Sequence, residues 1–360
     1  MRHPGRMSQS VSSIGRERRV EPLQMATNKT KLTELGTAVG LVYEPSEGWD
    51  GALERLTVPG IQGDVWQPIV LPASSADSPE RDLLLRALGN GRAFRHQILR
   101  GRRPDHIEWS GGAKAVWTSD VPRDLTVDGV WFIQAKYDST CVLNTSPGSL
   151  VDELLVDHTL ESRMSWFEEV ALGQLQVYYS HARATVALPN LPDDVRDLDR
   201  DNKQLLKRAM RGRTPSPAEA KAYDELCRVV SVETTLRWRH RLDAATLPQR
   251  TQMLFRMLRI AGGPYWLLGT KGHEPVQLRI TDTRAWRERF ELKRFTVLDA
   301  HAGQPQVDWR AEILDRTIND RRTVDGYCEI RWSHGKLQGN PECKVQVTTP
   351  LEHIPGYERM

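Results

Sequence analysis

The stretch SDVPRDLTVDGVWFIQAKYDS, residues 119–139, decides how the chain is read. Asp120, Asp124 and Asp128 precede an apolar run that then carries Gln134 and Lys136 on either side of Ala135. Val130, Trp131, Phe132 and Ile133 favour a pleated, half-buried surface, so DGVWFIQAKY reads as a strand. The VDG before it suits a three-residue hairpin loop, with Gly129 where φ must be positive. That loop sets Phe132 opposite Asp124, Gln134 opposite Pro122 and Lys136 opposite Asp120. Opposed residues share a face, as do alternate residues along a strand. Asp120, Asp124, Gln134 and Lys136 therefore line one side of one hairpin. A two-residue loop would slip the register by one and send the aspartates to the other face. Asp128, directly before Gly129, reads as a turn residue.

Carboxylates beside a lysine have a clear chemical use. A hard divalent cation such as Mg²⁺ or Mn²⁺ takes one or two carboxylates together with phosphate oxygens and waters. Such a cation polarises a phosphodiester and lowers the pKa of the attacking water. A lysine nearby orients that water or stabilises the developing charge. The amide oxygen of Gln134 can ligate a metal without adding charge. The competing reading is structural: Lys136 snorkels from a strand end and Asp124 sits in a turn.

An aspartate, a short spacer and Gln-x-Lys on an apolar strand resemble the PD-(D/E)xK nuclease superfamily. The likeness is to the Mrr-type restriction branch, where Gln replaces the first acid of the second half-motif. SGGAKAVWTSDVPRDLTVDGVWFIQAKY is similar to that branch's Gly-rich lead-in, aspartate and QxK strand. The resemblance spans about residues 75–180. Gln134 and Lys136 match its Gln-x-Lys half, and Asp120 or Asp124 its metal-binding aspartate. Glu80 or Glu108 would be the upstream acid. Ser119 stands where the family has Gly, and with Gln for Glu only one firm carboxylate remains in the motif. The resemblance implies a restriction-endonuclease-like core, a mixed sheet flanked by helices. It further implies a Mg²⁺- or Mn²⁺-dependent endonuclease that hydrolyses DNA phosphodiester bonds in bacterial restriction or anti-phage defence. Double-strand cutting implies a homodimer, and an ATP-driven step would need an ATPase or other defence-system subunit. The alternative is a non-catalytic nucleic-acid-binding or scaffolding subunit of a defence or mobile-element complex. An RNA substrate is compatible with the same residues.

The rest of the chain frames this core. It has 360 residues, 39% hydrophobic and 27% charged, and a net charge of +3. That suits a soluble protein of two or three domains, and the charge alone does not demand nucleic acid. Four cysteines fit a reducing cytoplasm better than a disulfide framework. No apolar run reaches membrane-spanning length and no leader-like apolar segment opens the chain. Residues 1–28 are polar and read as disordered. LGTAVGLVYEP and DVWQPIVLPA look extended. Ser78 and Pro79 begin a helix that GNGR ends or breaks. A long helix from Leu150 to Val177, broken near Gly173, should pack on the sheet. The expected partition is a nuclease domain at 29–188, a helical segment at 189–263 and a β-rich C-terminal domain at 264–360 with a DNA-binding role.

Other motifs carry weaker chemistry. Cys328, His334 and Cys343 lack the CxxC spacing of a zinc site and read as packed strand residues. His334-Gly335-Lys336 has the form of half a phospholipase-D-type HxK motif, without its second copy. Glu342-Cys343-Lys344 with Asp325 upstream repeats the acid-x-Lys pattern and reads as a surface hairpin. Trp238 in RWRHR and Trp286 in RAWRERFELKR could stack on bases, or pack inward on amphipathic helices. No Walker A, Rossmann, GxSxG or HExxH motif occurs.

Overall fold

A computed structural model describes residues 28–44, 52–111, 121–137, 141–153, 165–186, 188, 190–272, 274–301, 303–333 and 335–360. The disorder expected for 1–28 falls outside these residues, except that Asn28 opens the first helix. The described helices are α1 (Asn28–Gly40), α2 (Gly63–Ser74), α3 (Arg81–Gln97), α4 (Trp166–Val186), α5 (Arg200–Met210), α6 (Pro217–Ala244), α7 (Leu247–Met257) and α8 (Thr283–Arg289). The strands are β1 (Ile107–Trp109), β2 (Leu125–Val127), β3 (Trp131–Tyr137), β4 (Cys141–Thr145), β5 (Tyr265–Lys271) and β6 (Glu274–Ile280). They continue with β7 (Phe290–His301), β8 (Pro305–Asp315), β9 (Asp320–Arg331), β10 (Glu342–Val347) and β11 (Tyr357–Arg359).

Two sheets organise the chain. The first has the order β1-β2-β3-β5-β6-β11 and is mixed: β3 and β5 run parallel, and the other neighbours antiparallel. The second is antiparallel, in the order β4-β10-β9-β8-β7. The first sheet draws strands from both sides of the expected partition at 188 and 264, so the sequence segments do not correspond one to one with the sheets. Ile107, Leu125, Val127, Ile133, Trp266 and Leu268 face a core shared with α1, α2 and α3. Tyr265, Leu267, Leu278 and Ile280 face the opposite way, into the core built by α4, α6, α7 and the second sheet.

Several expectations change. LGTAVG and DVWQPIVLPA are helical, not extended. In α1, Leu32, Leu35 and Val39 recur at helical spacing on a buried face, and in α2 Trp66, Val70 and Ala73 do the same. The glycines that suggested a loop are instead contact points. A Cβ on Gly40 would lie 2.3 Å from the Leu88 carbonyl oxygen, and one on Gly91 would lie 2.1 Å from that of Thr37. Gly89, Asn90 and Gly91 therefore do not end α3, which runs through them while α1 rests on its backbone. Ser78 does act near the helix start, accepting from the Glu80 N–H. The long helix is a π turn at Ser149–Glu153 followed by α4, whose helical geometry breaks at Ala171. It packs chiefly on α6, not on the first sheet. Ser216 and Thr246 cap α6 and α7, with a proline in each first turn.

Among the described residues no helix is long and apolar enough to cross a membrane.

Candidate active site at the parting of two strands

The hairpin forms with a three-residue loop, displaced by one position. Val127 pairs with Trp131, which leaves Asp128, Gly129 and Val130 as the turn. Asp128 and Gly129 take φ of 50° and 72°. The Asp128 carboxylate accepts from the backbone N–H groups of Asp105 and His106 and from Arg102. Asp128 is thus a turn residue, as expected. Because the displaced loop is still three residues long, face parity survives. Continued one step, this register would set Asp124 opposite Gln134 instead of Phe132, but regular pairing stops at Leu125 opposite Ile133.

At Asp124 the two strands part. Its N–H donates to the Ile133 carbonyl at 2.8 Å, but the next rung is made by the side chain: the Ala135 N–H donates to Asp124 Oδ2 at 2.7 Å. Pro122, two residues upstream, has no N–H to continue a ladder. The chain leaves the sheet, and a carboxylate occupies the resulting notch. On the far side of β3, Gly269 of β5 stands beside Lys136. A Cβ there would fall 2.0 Å from the Lys136 carbonyl oxygen, so only glycine allows this strand spacing. Asn90, fully buried on α3, fixes the same point. Its Nδ2 donates to the Gly269 carbonyl at 2.8 Å, and its Oδ1 accepts from Gln277 at 3.0 Å.

A second acid, Glu34 on α1, lies within electrostatic range of Asp124. It is only 3% exposed, and one oxygen accepts from Trp109 Nε1 at 2.7 Å. Burial first, and then the charge of Asp124, push its pKa up to about 7, while the Trp109 hydrogen bond and Lys136 pull the other way. Burial also raises Asp124, opposed by the Ala135 N–H, Lys136 and Arg259. Glu34, Asp124 and Lys136 are therefore close enough to act on one another's charge. A buried carboxylate and a half-buried one within range of each other's charge are each less well solvated as anions than in water.

The other expected residues fall elsewhere. Asp120 lies outside the described residues. Glu108 is exposed on edge strand β1, opposite Thr126, one strand beyond the notch. Glu80 precedes α3 and meets Ser78. Neither Glu80 nor Glu108 is the acid that shares charge with Asp124; Glu34 takes that place. Its signal was present in the sequence: it is the one acid in NKTKLTELGTAVG, flanked by apolar residues at helical spacing. Reading that segment as extended concealed it.

The remaining motifs resolve as packing. Trp238 and Trp286 are buried and donate to Met253 Sδ and the Pro355 carbonyl, so neither ring is presented for stacking on bases. Cys328 and Cys343 are buried strand residues, and His334 lies outside the described residues. Among the described residues, no group of three or more His, Cys, Asp or Glu is arranged to hold a metal ion.

Comparison of the chain with protein-family models, with curated proteins and with solved structures finds no match.

Proposed function

We propose that the chain is a metal-dependent endonuclease that hydrolyses DNA phosphodiester bonds, with its reacting centre at the Asp124 notch. The observation that carries this reading is the Asp124 carboxylate taking the Ala135 N–H in place of a backbone rung where β2 leaves β3, beside the Gln-x-Lys strand and with the buried Glu34 within range of its charge. The likeness to the PD-(D/E)xK superfamily supports it, as does a mixed sheet with helices on both sides and the Gln-x-Lys strand near its centre. Glu34 and Asp124 would hold Mg²⁺ or Mn²⁺, with the Gln134 amide oxygen beside them. The donor set fits, because both carboxyls resist ionisation in the absence of a cation. When bound, the metal would polarise the phosphodiester and acidify a water.

The chain's own residues have separate tasks. Lys136 orients the attacking water and offsets charge building on the phosphate. Trp109 fixes the Glu34 carboxylate, and the Ala135 N–H fixes that of Asp124. Asn90 and Gly269 keep β5 against β3, so that Lys136 cannot shift along the notch. Cleavage of both strands of a duplex calls for two such notches, hence a homodimer. Bacterial restriction or anti-phage defence, with an ATPase or other subunit as partner, is the setting the likeness suggests.

Plasmid incubated with the protein and Mg²⁺ or Mn²⁺ tests the reading. Cutting that EDTA abolishes and Lys136→Ala loses supports it. DNA binding without cutting in either metal overturns it and favours a scaffolding subunit. Cutting confined to a labelled RNA would move the substrate and keep the site.

A further inference from the structure

Away from the notch, a cavity of about 340 Å³ opens between α6 and the segment that follows β9. Its size lies within the roughly 300–1,000 Å³ typical of small-molecule sites. Tyr223 and Trp332 form its aromatic walls, and Gln304, Arg331, Ser333 and Lys336 supply its polar groups. Two of these residues are cations and none is a carboxylate.

The internal bonding leaves donors over. Ser333 is committed to Glu342. The Tyr223 hydroxyl donates to Gln304 Oε1 at 3.1 Å, which leaves the Gln304 NH₂ without a hydrogen bond among the described residues. The Arg331 guanidinium reaches Glu329 through Nη1 at 3.3 Å, but its Nε is buried with no hydrogen-bond partner among the described residues. Lys336 Nζ sits 3.4 Å from the centroid of the Tyr223 ring and 5.6 Å from that of Tyr178. It has no carboxylate within ion-pair distance among the described residues. Glu219, an acid that acts on its charge, is already gripped by Arg213 through both oxygens at 2.7 Å. A half-buried ammonium lying against ring faces, with Cys227 and Glu219 acting on its charge from a distance, is a receptor for an anion. Trp332, standing edge-on to Phe167 at 4.4 Å, adds a planar wall that an inorganic ion would not need.

We propose that this cavity binds a nucleoside monophosphate, with its phosphate on Lys336 and Arg331 and its base against Trp332. Free phosphate engages the same cations but gains nothing from the indole. Aromatic stacking tightens binding by about 5- to 150-fold per base. The site uses no residue of the notch, so it stands whether or not the chain cuts nucleic acid.

Titration calorimetry of the full chain with AMP, GMP, CMP and UMP, with adenosine and with inorganic phosphate tests it. At least one nucleotide is expected to bind tenfold or more tightly than either adenosine or phosphate. Lys336→Gln and Arg331→Gln, each checked for an unchanged melting curve, should each weaken that binding at least tenfold. Lys336→Arg should stay within about threefold of wild type. Trp332→Leu should remove the advantage over phosphate. No binding of any of the four at millimolar concentration overturns the proposal. So does phosphate binding as tightly as every nucleotide, or a folded Lys336→Gln that binds like wild type.

Discussion

Two strands in this chain carry nearly the same short pattern, an aspartate upstream and then Gln or Glu, one residue, and Lys. On β3 it is Gln134-Ala135-Lys136 with Asp124, and on β10 it is Glu342-Cys343-Lys344 with Asp325. Their surroundings differ sharply. On β10 the charges have polar partners: Glu342 accepts from Asn144 and Ser333, and Asp325 accepts from Arg310 at 2.6 Å. Lys344 lies opposite Glu329, four positions from Asp325 on β9, so the upstream acid and the lysine do not share a point. On β3 the aspartate carboxylate takes the Ala135 N–H in place of a backbone rung, burial raises its pKa, and a buried acid on α1 lies within range of its charge. A motif becomes a candidate site when the fold brings a second, buried acid within range of its own.

The largest expected effect breaks that comparison outright. Lys136→Ala should lower DNA cleavage about 10²–10³-fold, the scale of losing one group that stabilises transition-state charge. Lys344→Ala should leave cleavage within about twofold. Equal effects of the two, read from initial rates on supercoiled plasmid, would erase the distinction.

Glu34→Gln comes next and acts in two directions. It should remove most cleavage yet stabilise the metal-free fold. With a folded-state pKa of about 7 against an ordinary 4.5, Glu34 binds a proton more readily folded than unfolded. The wild type therefore loses stability as pH rises from about 4.5 to about 7, and the loss is flat above. At about 1.4 kcal/mol for each pKa unit, the cost at pH 8 is on the order of 2–3 kcal/mol, allowing for partial solvent screening. Urea denaturation in EDTA should show the Gln variant more stable by that amount at pH 8, with the gap closing toward pH 4.5. A gap independent of pH would show that Glu34 is ionised and partnered in the folded protein.

Two matched glycines sharpen the contrast at moderate size. A Cβ on Gly269 would meet the Lys136 carbonyl oxygen at 2.0 Å, and one on Gly326 of β9 would meet that of Gln346 at 2.2 Å. Each Gly→Ala change should cost about 1–3 kcal/mol by overpacking. Only Gly269→Ala should also reduce cleavage at temperatures where both variants remain folded. The smallest effect expected is Trp109→Phe. Losing its N–H bond removes something that holds the Glu34 pKa down, so cleavage at pH 7 should fall several-fold and recover near pH 8.5. A deficit that persists at high pH would assign Trp109 a packing role only.

Local chemistry made much of this legible. Gly129 announced the turn, and the run of β-branched and aromatic residues from Val130 to Ile133 announced β3. The one-position slip in the loop was harmless because the loop kept its length. What the sequence hid was long-range. Glu34 reaches the notch from about ninety residues upstream, on a helix whose glycines look like loop residues until α3 is seen lying against them. The parallel neighbour of β3 was equally invisible, since residues 138–264 intervene before β5 begins. Nothing local to YWLLGT says which strand it will join.

That long interruption has a consequence for how the protein is made. A ribosome releases Asp124 and Lys136 well before it has synthesised Tyr265–Lys271, and until then β3 presents a bare edge to the surrounding cell. Parallel pairing across so wide a sequence gap is slow to form. The nascent chain therefore carries β3 with one edge unpaired through much of translation, and an N-terminal fragment that ends before Tyr265 should be prone to self-association.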